Sequence, residues 1–332
     1  MNLDNKTVLV TGGTGSFGKK FVKSTLNKFN LKKIIIFSRD EMKQWEMAKE
    51  YHDNEKVRFF IGDVRDRQRL FRAFEKVDIV IHAAATKIVP TAEYNPFECI
   101  KTNINGAMNV IDAAIDCKVK KVIALSTDKA SSPINLYGAT KLASDKLFIA
   151  ANAYSGEKTT SFSVVRYGNV MGSRGSIIPF FLSLKGNKKI PITDERMTRF
   201  MISLEQGIEL VWKAIEDSLG GEIYVKKIPS MRVVDIAKTL CPTQEVKIIG
   251  IRPGEKLHEQ MIGIEDAPFT YEYKNYYKIL PSIYDAFKDK ERIGKGKPLE
   301  ENFSYTSDNN SEWMNQETLS EWLKDESEEI ER

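Results

Sequence analysis

The chain has 332 residues, of which 42% are hydrophobic and 29% are charged, and its net charge is +4. This length is enough for one large domain or two medium-sized domains with real cores, and the composition is typical of a soluble globular enzyme. Because the weak positive charge is spread along the chain, it suits an anionic small substrate and does not favour nucleic acid as a partner.

Cysteines and histidines are few. Cys99, Cys117 and Cys241 form no paired motif and lie in apolar patterns, so we interpret them as buried free thiols of a cytoplasmic protein. The three histidines lack neighbours at metal-ligand spacing, and no metal is expected. No apolar run approaches the roughly 20 residues of a membrane span, and there is no room for a signal peptide before the first expected strand.

Short β-branched runs alternate with helical patterns in the first half of the chain, which predicts an α/β fold: a Rossmann-like, doubly wound parallel sheet. The expected strands are Thr7–Thr11, Lys33–Phe37, Val57–Ile61, Asp78–His82, Lys121–Ser126 and Phe162–Arg166. The expected helices are Ser16–Phe29, Asp40–Tyr51, Phe97–Cys117 and Ile134–Tyr154.

After about residue 170, prolines punctuate shorter elements. We therefore expect a cofactor domain over residues 1–170 and a smaller, mainly substrate-binding domain over residues 171–332, with helix Leu204–Ser218 packing back on the sheet. The tail from about Ala267 ends in an acidic amphipathic helix near Glu317–Glu329. We interpret the tail as a solvated cap, with docking or an oligomer contact as the alternative.

The first expected strand runs into a glycine-rich turn that opens a helix. Missing side chains let the backbone approach a pyrophosphate, whose charge the helix N-terminus favours. This strand–turn–helix context predicts a dinucleotide site formed by Gly12, Thr14, Gly15, Ser16, Phe17 and Gly18.

The end of the second strand normally carries an acid for the ribose 2′-hydroxyl, but here it carries Ser38 and Arg39. A hydroxyl and a guanidinium suit a 2′-phosphate better, which favours NADP over NAD. Asp40 is interpreted as a helix N-cap. Asp63, followed by Val64, either accepts from the adenine amino group or caps a turn.

Ala83, Ala84 and Ala85 follow the fourth strand and leave space for a cofactor ribose. His82 before them is interpreted as a core residue. Lys87 beyond them is either a substrate contact or a solvated side chain.

Tyr137 and Lys141 are four residues apart on one expected helix and share a face. A neighbouring ammonium and the nicotinamide charge favour the phenolate, so they are expected to lower the pKa of Tyr137. With Thr127 after the fifth strand, the pair predicts hydride transfer.

These motifs resemble the extended short-chain dehydrogenase/reductase family over at least residues 7–260. The resemblance implies that Thr127 holds the substrate oxygen and that Lys141 also binds the nicotinamide ribose. It further implies cofactor contacts from Tyr167 and Val170, and an oligomeric enzyme, a dimer or larger.

Asp128-Lys129 carries a closer resemblance, because most retaining sugar-nucleotide 4,6-dehydratases have Asp-Glu there. The lysine resembles the inverting UDP-N-acetylglucosamine 4,6-dehydratases of bacterial pseudaminic acid synthesis. The stretches 126–146, 166–175, 196–200 and 251–259 are similar to those enzymes as well. The resemblance implies a tightly bound NADP that is recycled within each turnover, and a UDP-sugar substrate.

The chemistry of this pair is readable from the residues. Oxidation at C4 acidifies the C5 proton, which a base removes while an acid protonates the departing C6 hydroxyl. Lys129 serves as the base only if its pKa falls well below about 10.4. Asp128 is then the acid. The alternative is a surface lysine beside a capping aspartate.

The resemblance also implies residues that hold the substrate: Asn169 for the sugar or phosphate, Arg174, Arg199 and Arg252 for the diphosphate, and Glu255 for the uridine ribose. From spacing alone these arginines are ordinary surface residues. Three other functions remain open at this point: a C5-epimerase of the 4-keto-6-deoxy sugar, a retaining dehydratase, and an NADP-sensing regulatory protein. The intact Thr127, Tyr137 and Lys141 argue against the last.

Overall fold

The protein is described here by a computed structural model covering residues 2–156, 160–173, 175–186, 188–283 and 288–325. Within these ranges, ten strands form one sheet with helices on both of its faces. The predicted α/β class with a doubly wound parallel sheet is therefore confirmed. No helix in the described part of the chain is both long and apolar enough to cross a membrane.

Seven neighbouring strands of this sheet are parallel and run in the order β3-β2-β1-β4-β5-β6-β10. They are nearly continuous apolar segments because both faces of the sheet are covered. The strands are β1 Thr7–Thr11, β2 Lys33–Ser38, β3 Val57–Ile61, β4 Ile79–His82, β5 Lys121–Thr127, β6 Ser161–Tyr167, β7 Asn169–Val170, β8 Lys189–Ile192, β9 Thr198–Ile202, β10 Ile223–Lys226, β11 Ser230–Arg232, β12 Glu245–Ile248, β13 Gln260–Ile262, β14 Thr270–Glu272, β15 Tyr276–Ile279, β16 Lys297–Pro298 and β17 Tyr305–Thr306.

The helices begin at residues suited to capping. Asp40, Asp66, Asn135 and Ser203 each accept a hydrogen bond from a backbone amide in the first turn. The N-cap interpretation of Asp40 is thus confirmed. The helices are α1 Ser16–Lys28, α2 Glu41–Glu50, α3 Arg67–Phe74, α4 Val89–Tyr94, α5 Pro96–Ile100, α6 Gly106–Asp116, α7 Leu136–Tyr154, α8 Ile177–Ser183, α9 Leu204–Asp217, α10 Val233–Leu240, α11 Lys290–Ile293 and α12 Gln316–Asp325.

The single helix predicted over Phe97–Cys117 is wrong. A π-helical turn, Lys101–Asn105, separates α5 from α6. In this wider turn the buried Asn103 amide donates to Thr140 Oγ1 at 3.0 Å and to the Thr86 carbonyl at 2.9 Å. A π-helical turn inserts an extra residue into a helix, and the apolar periodicity of the sequence alone does not reveal it.

Helix α9 lies against the sheet beside α1, as expected from the sequence. Trp212 Nε1 donates to Thr25 Oγ1 at 3.2 Å, and the Trp212 ring meets Phe29 edge to face. A second, smaller core lies among α8, α10 and α12 and includes Phe181, Ile236 and Leu319. The proposed division near residue 170 stays a prediction.

The interpretation of the tail as a solvated cap is wrong for much of its length. Strands β14, β15 and β16 extend the main sheet in antiparallel fashion next to β10. Tyr277, Ile279 and Tyr305 are buried in the main core, and Leu319 of α12 is buried in the second. Apolar residues are too sparse there for a sequence pattern to show this pairing. The predicted terminal helix near Glu317–Glu329 begins at Gln316, and residues 326–332 lie outside the described ranges.

The core holds two of the three cysteines. All three thiols are free, with Cys99 and Cys241 buried, whereas Cys117 is only half-buried with its Sγ 3.5 Å from the Phe71 carbonyl. The prediction of full burial is therefore wrong for Cys117, which sits at the end of an amphipathic helix. His82 is a core residue as interpreted, and its Nδ1 lies 2.9 Å from Thr11 Oγ1.

Candidate active site

A cleft of about 1040 Å³ opens at the carboxyl ends of the parallel strands. Ligands bind at this edge in doubly wound sheets, because the strand order reverses there and leaves a crevice. The cleft is lined by every described residue that the sequence singled out as a catalytic, cofactor or substrate contact. Arg174 lies outside the described residues.

The turn after β1 lies tight against the start of α1. A Cβ on Gly18 would sit 2.5 Å from Gly13 Cα, so any side chain there would push the helix off the turn. Gly15 is the N-cap of α1 and supplies no side-chain cap. The first residues of α1 line the cleft, and a helix N-terminus whose N-cap is a glycine fits an anionic pyrophosphate. The geometry is suited to a dinucleotide.

At the end of β2, Ser38 is buried and its Oγ accepts from Gln44 Nε2 at 3.1 Å. The Arg39 guanidinium is exposed, 3.7 Å from Asp63 Oδ2. Arg65 donates two hydrogen bonds to the same carboxylate oxygen, one from an amino group at 2.7 Å and one from Nε at 3.0 Å. Burial opposes the ionised form of Asp63, but the Arg65 contacts outweigh it and lower the pKa of this carboxyl. A turn-capping role for Asp63 is already present, since Oδ1 accepts from the Arg65 amide.

The segment after β4 closes the cofactor side of the cleft. The amides of Ala83 and Ala84 lie 3.2 and 3.3 Å from Thr11 Oγ1, so the small residues stand directly beside the end of β1. Val64 is buried behind them, and Lys87 is exposed at the cleft. The free space beside the alanines is what a ribose requires.

Strand β5 ends in a one-turn 3-10 helix, Asp128–Ala130. Thr127 Oγ1 accepts from the Lys129 amide at 3.3 Å and donates to Asp128 Oδ1 at 2.9 Å. Helix α7 begins against this turn, because a Cβ on Gly138 would collide with the Lys129 carbonyl oxygen. A glycine directly after Tyr137 therefore lets the tyrosine approach the Asp128–Lys129 pair.

Lys129 lies between two carboxylates. Its Nζ is 3.0 Å from Asp128 Oδ1 and 3.1 Å from Glu259 Oε1, and Glu259 in turn lies 3.7 Å from Arg199 Nε. Asp128 and Glu259 are almost completely buried, at 1% and 2% exposure. Within the described structure, Asp128 Oδ2 and Glu259 Oε2 make no hydrogen bond. A surface lysine beside a capping aspartate is excluded by this burial.

The electrostatics of the pair differ from the sequence-based expectation. Burial raises the pKa of Asp128, so the protonated acid form is favoured as the proposed chemistry requires. Burial lowers the pKa of Lys129, but Asp128 and Glu259 outweigh that effect and hold it above its ordinary value. The condition that the pKa of Lys129 falls well below its ordinary value is therefore not met here, because a second carboxylate, that of Glu259, adds to the effect of Asp128.

The tyrosine–lysine pair also differs from expectation. Desolvation raises the pKa of Tyr137 to about 12, although Lys129 and a hydrogen bond with Thr127 oppose the rise. Lys141 is buried, which lowers its pKa, and its Nζ donates to the Leu125 carbonyl at 2.7 Å. The predicted lowering of the Tyr137 pKa is wrong here, because desolvation outweighs the opposing effects, among which the positive charge is that of Lys129 and not of Lys141.

The opposite wall of the cleft is made of charged residues from β9 and the segment before β13. Arg199 is buried, with one amino group 3.6 Å from Glu255 Oε1. Arg252 is exposed and holds both oxygens of Glu255 at 3.1 Å. Asn169 lies at the cleft, and its Oδ1 has no hydrogen bond within the described structure. Arg196 pairs with Asp194 and does not line the cleft.

Sequence reasoning missed Glu259, Asp145 and Lys256. Asp145 Oδ2 accepts from Ser126 Oγ at 2.7 Å and lies 3.3 Å from buried Arg166, below the catalytic turn. Lys256 Nζ donates to the Ser131 carbonyl at 2.6 Å and joins the two walls. A signal existed for Asp145, which lies four residues beyond Lys141 on the same helix face. Glu259 lies in the similar stretch 251–259, but nothing in the sequence pointed to its contact with Lys129, because the two residues are far apart along the chain.

Comparison with known proteins places this geometry in a wider group. Residues 8–281 match the polysaccharide biosynthesis protein family. A Campylobacter jejuni protein (strain 81-176) named UDP-N-acetylglucosamine 4,6-dehydratase (inverting) is 57% identical over 323 residues, covering 95% of this chain and 96% of that protein. A Rickettsia bellii protein named UDP-glucose 4-epimerase is 43% identical over 96% of this chain and 95% of its own.

Solved structures agree on the fold. Pen from Bacillus thuringiensis superposes with a TM-score of 0.89 at 37% identity, covering 98% of this chain and 99% of that one. A dTDP-glucose 4,6-dehydratase from Streptomyces venezuelae, solved with NAD, gives a TM-score of 0.68 at 23% identity over 76% and 86% of the two chains. The resemblance to short-chain dehydrogenases/reductases, and within them to the inverting dehydratases, is thus confirmed. The chain belongs to the polysaccharide biosynthesis protein family.

Proposed function

We propose that this protein is an NADP-dependent UDP-N-acetylglucosamine 4,6-dehydratase that inverts C5. Its product is UDP-2-acetamido-2,6-dideoxy-β-L-arabino-hex-4-ulose. The observation that carries the proposal is the ion pair between buried Asp128 and partly buried Lys129, which shares one cleft with Tyr137 and Lys141. The 57% identity to a protein named for this activity supports it.

The glycine turn and the start of α1 would hold the pyrophosphate, and the alanines after β4 would face a ribose. The Arg39 guanidinium is exposed and lines the cleft, which supports NADP over NAD, since a guanidinium suits a charge-assisted hydrogen bond with a 2′-phosphate. When bound, the nicotinamide supplies a hydride acceptor for C4 and a donor for C6. The cofactor is proposed to stay bound and to be recycled.

Thr127 and Tyr137 act at the C4 hydroxyl. Thr127 Oγ1 holds the sugar oxygen, and Tyr137 takes its proton as the ketone forms. Since burial raises the pKa of Tyr137 to about 12, the phenolate has to be stabilised during turnover. The Lys129 ammonium and the positive ring of the oxidised cofactor provide that stabilisation.

Asp128 and Lys129 act at C6 and C5. Moving one proton along the 3.0 Å contact between Lys129 Nζ and Asp128 Oδ1 produces a neutral amine and a carboxylic acid together. The amine then takes the C5 proton, which the C4 ketone has acidified. Asp128 protonates the C6 hydroxyl, the C6–O bond breaks, and water leaves. The bound cofactor would supply the hydride that C6 requires, and a proton from solvent adds to the opposite face of C5.

The substrate would be anchored by the charged wall. Arg199 and Arg252 are proposed to bind the UDP diphosphate, with Arg174 as a further candidate, and Glu255 to accept from the uridine ribose. Asn169 and Lys87 are proposed to contact the sugar or a phosphate. Because Arg199 and Arg252 both pair with Glu255 in the ligand-free protein, substrate binding would exchange these ion pairs.

We place the enzyme in the cytoplasm, as a homo-oligomer, at the start of a bacterial route to pseudaminic acid or a related surface glycan. The chemistry supports the assignment to the start of such a route, because a 4-keto-6-deoxy sugar with inverted C5 is a substrate for amino transfer. The C5-epimerase, the retaining dehydratase and the regulatory protein are outcomes of the following test.

The test supplies purified protein with UDP-N-acetylglucosamine and no added cofactor, and follows the sugar by NMR. We expect release of a 4-keto-6-deoxy product with inverted C5. An unchanged substrate contradicts dehydration, and turnover of only the 4-keto-6-deoxy sugar favours the epimerase. Product with retained C5 identifies a retaining enzyme. Conversion of UDP-glucose to UDP-galactose without water loss identifies a 4-epimerase, as in the name of the Rickettsia relative.

A further inference from the structure

Glu259 is the one buried carboxylate at the catalytic lysine, among the described residues, to which the proposed chemistry gives no task. It lies directly before β13, at the end of the stretch 251–259, and the sequence assigned it no role. Its Oε1 is 3.1 Å from Lys129 Nζ, and its Oε2 is buried without a hydrogen bond in the described structure. A buried carboxylate left in this condition costs free energy unless it has a role in charge balance.

The position of Glu259 is fixed by its backbone. The Glu259 amide donates to Ser307 Oγ at 2.9 Å, and the Ser307 amide donates to the Glu259 carbonyl at 2.8 Å. Ser307 Oγ is also 2.6 Å from Thr198 Oγ1 on β9. The backbone of Glu259 is therefore held independently of the ion pair between its carboxylate and Lys129.

The charges around Lys129 do not balance without Glu259. Once the Lys129 amine has taken the C5 proton it is an ammonium again, and Asp128, 3.0 Å away, cannot neutralise it until its own proton has passed to the C6 oxygen. Glu259 is the remaining anion within ion-pair distance of Lys129 Nζ in the described structure. The other charged or titratable groups facing this cluster are Arg199 on β9, Tyr137 on α7, and Glu255 and Lys256 in the segment before β13.

We propose that Glu259 is a positioning residue of the dehydration, which holds the Lys129 amino group opposite Asp128 and keeps it paired whenever Asp128 is protonated. This inference rests on the proposed function, because it assigns Glu259 a task within that reaction. Glu259 touches neither of the reacting carbons in this account and acts through Lys129 alone.

The direction of the effect follows from the electrostatics. Burial raises the pKa of Asp128, Lys129 lowers it, and the charge of Glu259 raises it. Burial lowers the pKa of Lys129, whereas Asp128 and Glu259 raise it. Removing the charge of Glu259 therefore lowers both pKa values. In E259Q, Lys129 becomes a free base at lower pH, and Asp128 loses its proton at lower pH.

The experiment measures product formation and C5 proton exchange into D2O across pH for wild type, E259Q and E259D. E265Q is the matched control. Glu265 is exposed and lies just beyond β13, and its replacement by glutamine removes the same charge. We expect both limbs of the pH profile to move down by about one unit in E259Q. E259D, which keeps the charge at a longer distance, should move by less than half as much, and E265Q should not move.

A purely structural role would lower activity or stability without moving the limbs, and superimposable profiles for E259Q and wild type would overturn the proposal. If E259Q does not fold, E259D provides the test. A smaller downward shift of both limbs supports the proposal, and a profile that superimposes on that of wild type overturns it. A second readout is independent of the substrate: the ¹⁵N signal of the Lys129 amino group, identified by its loss in K129A, is titrated in the full-length protein. A lower titration midpoint in E259Q or E259D supports the inference even if wild type does not dehydrate the sugar. An unchanged midpoint refutes it.

Discussion

The two walls of the cleft are built by different means. The cofactor wall (residues 12–18, 38–39 and 83–85) is formed mainly by backbone, with Gly18 in close contact with Gly13 and a glycine as the N-cap of α1. The substrate wall (Arg199, Arg252, Glu255 and Glu259) is formed by charged side chains that pair with one another and with Lys129.

This difference decides how each wall tolerates change. A backbone surface is indifferent to charge but intolerant of added atoms, because nothing in it can move aside. A surface of paired charges tolerates small changes in volume but not the removal of one partner, since the other is left buried and unpaired. Three substitutions test this contrast, from the largest expected effect to the smallest.

Replacing Lys129 with alanine is expected to have the largest effect. The proposed base at C5 is lost, so exchange of the C5 proton with D2O should fall by about a thousandfold. The two facing carboxylates, Asp128 and Glu259, then share a proton, and folding is expected to survive. NMR measures the exchange, and circular dichroism with a thermal melt checks the fold. Persistent exchange in a folded variant would remove Lys129 from the mechanism.

Replacing Gly18 with alanine tests the cofactor wall. The added Cβ lies 2.5 Å from Gly13 Cα, so the turn and α1 must separate at a cost of about 2 kcal/mol in unfolding free energy. Cofactor affinity should fall with it. The matched control is Gly207→Ala in α9, where the new Cβ meets its nearest neighbour, Tyr167 Cε1, at 3.8 Å. That change should be neutral or stabilising by up to about 1 kcal/mol, because alanine is the better helix former.

Denaturant unfolding measures both glycine variants, and titration of the cofactor-depleted protein measures NADP binding. Equal effects of the two substitutions would mean that the glycine turn is no more tightly packed than an ordinary helix surface. The proposed role of this turn in cofactor binding would then lose its structural basis.

Arg39→Ala tests a charged side chain in the cofactor wall, which is otherwise formed mainly by backbone. Loss of one charge-assisted hydrogen bond should weaken NADP binding by about tenfold and leave NAD binding unchanged. The control is Arg72→Ala, since Arg72 is an exposed arginine of the same half that does not line the cleft. Equal weakening of NADP and NAD would show that Arg39 does not read the 2′-phosphate, and the preference for NADP would have to be abandoned.

Much of the cofactor side was predictable from the sequence. The strand–turn–helix with its glycines, the alanines after β4 and the Tyr137–Lys141 spacing are local patterns, and the parallel sheet brings their ends to one edge. The strands of the first half agree with prediction to within a residue or two, because buried parallel strands are continuous apolar runs. The family assignment followed from Asp128 and Lys129 in that setting.

The tertiary structure alone decided the rest. Strands β14 to β16 join the main sheet by antiparallel pairing with a distant partner, which no local pattern records. The direction of the pKa shift of Lys129 depends on Glu259, 130 positions later in the numbering, which reaches the lysine through β13 and its contacts with Ser307. Local sequence determined which groups are proposed to carry the chemistry, because motifs are short. Folding determined their charge states, because burial and opposing charges act through space and not along the chain.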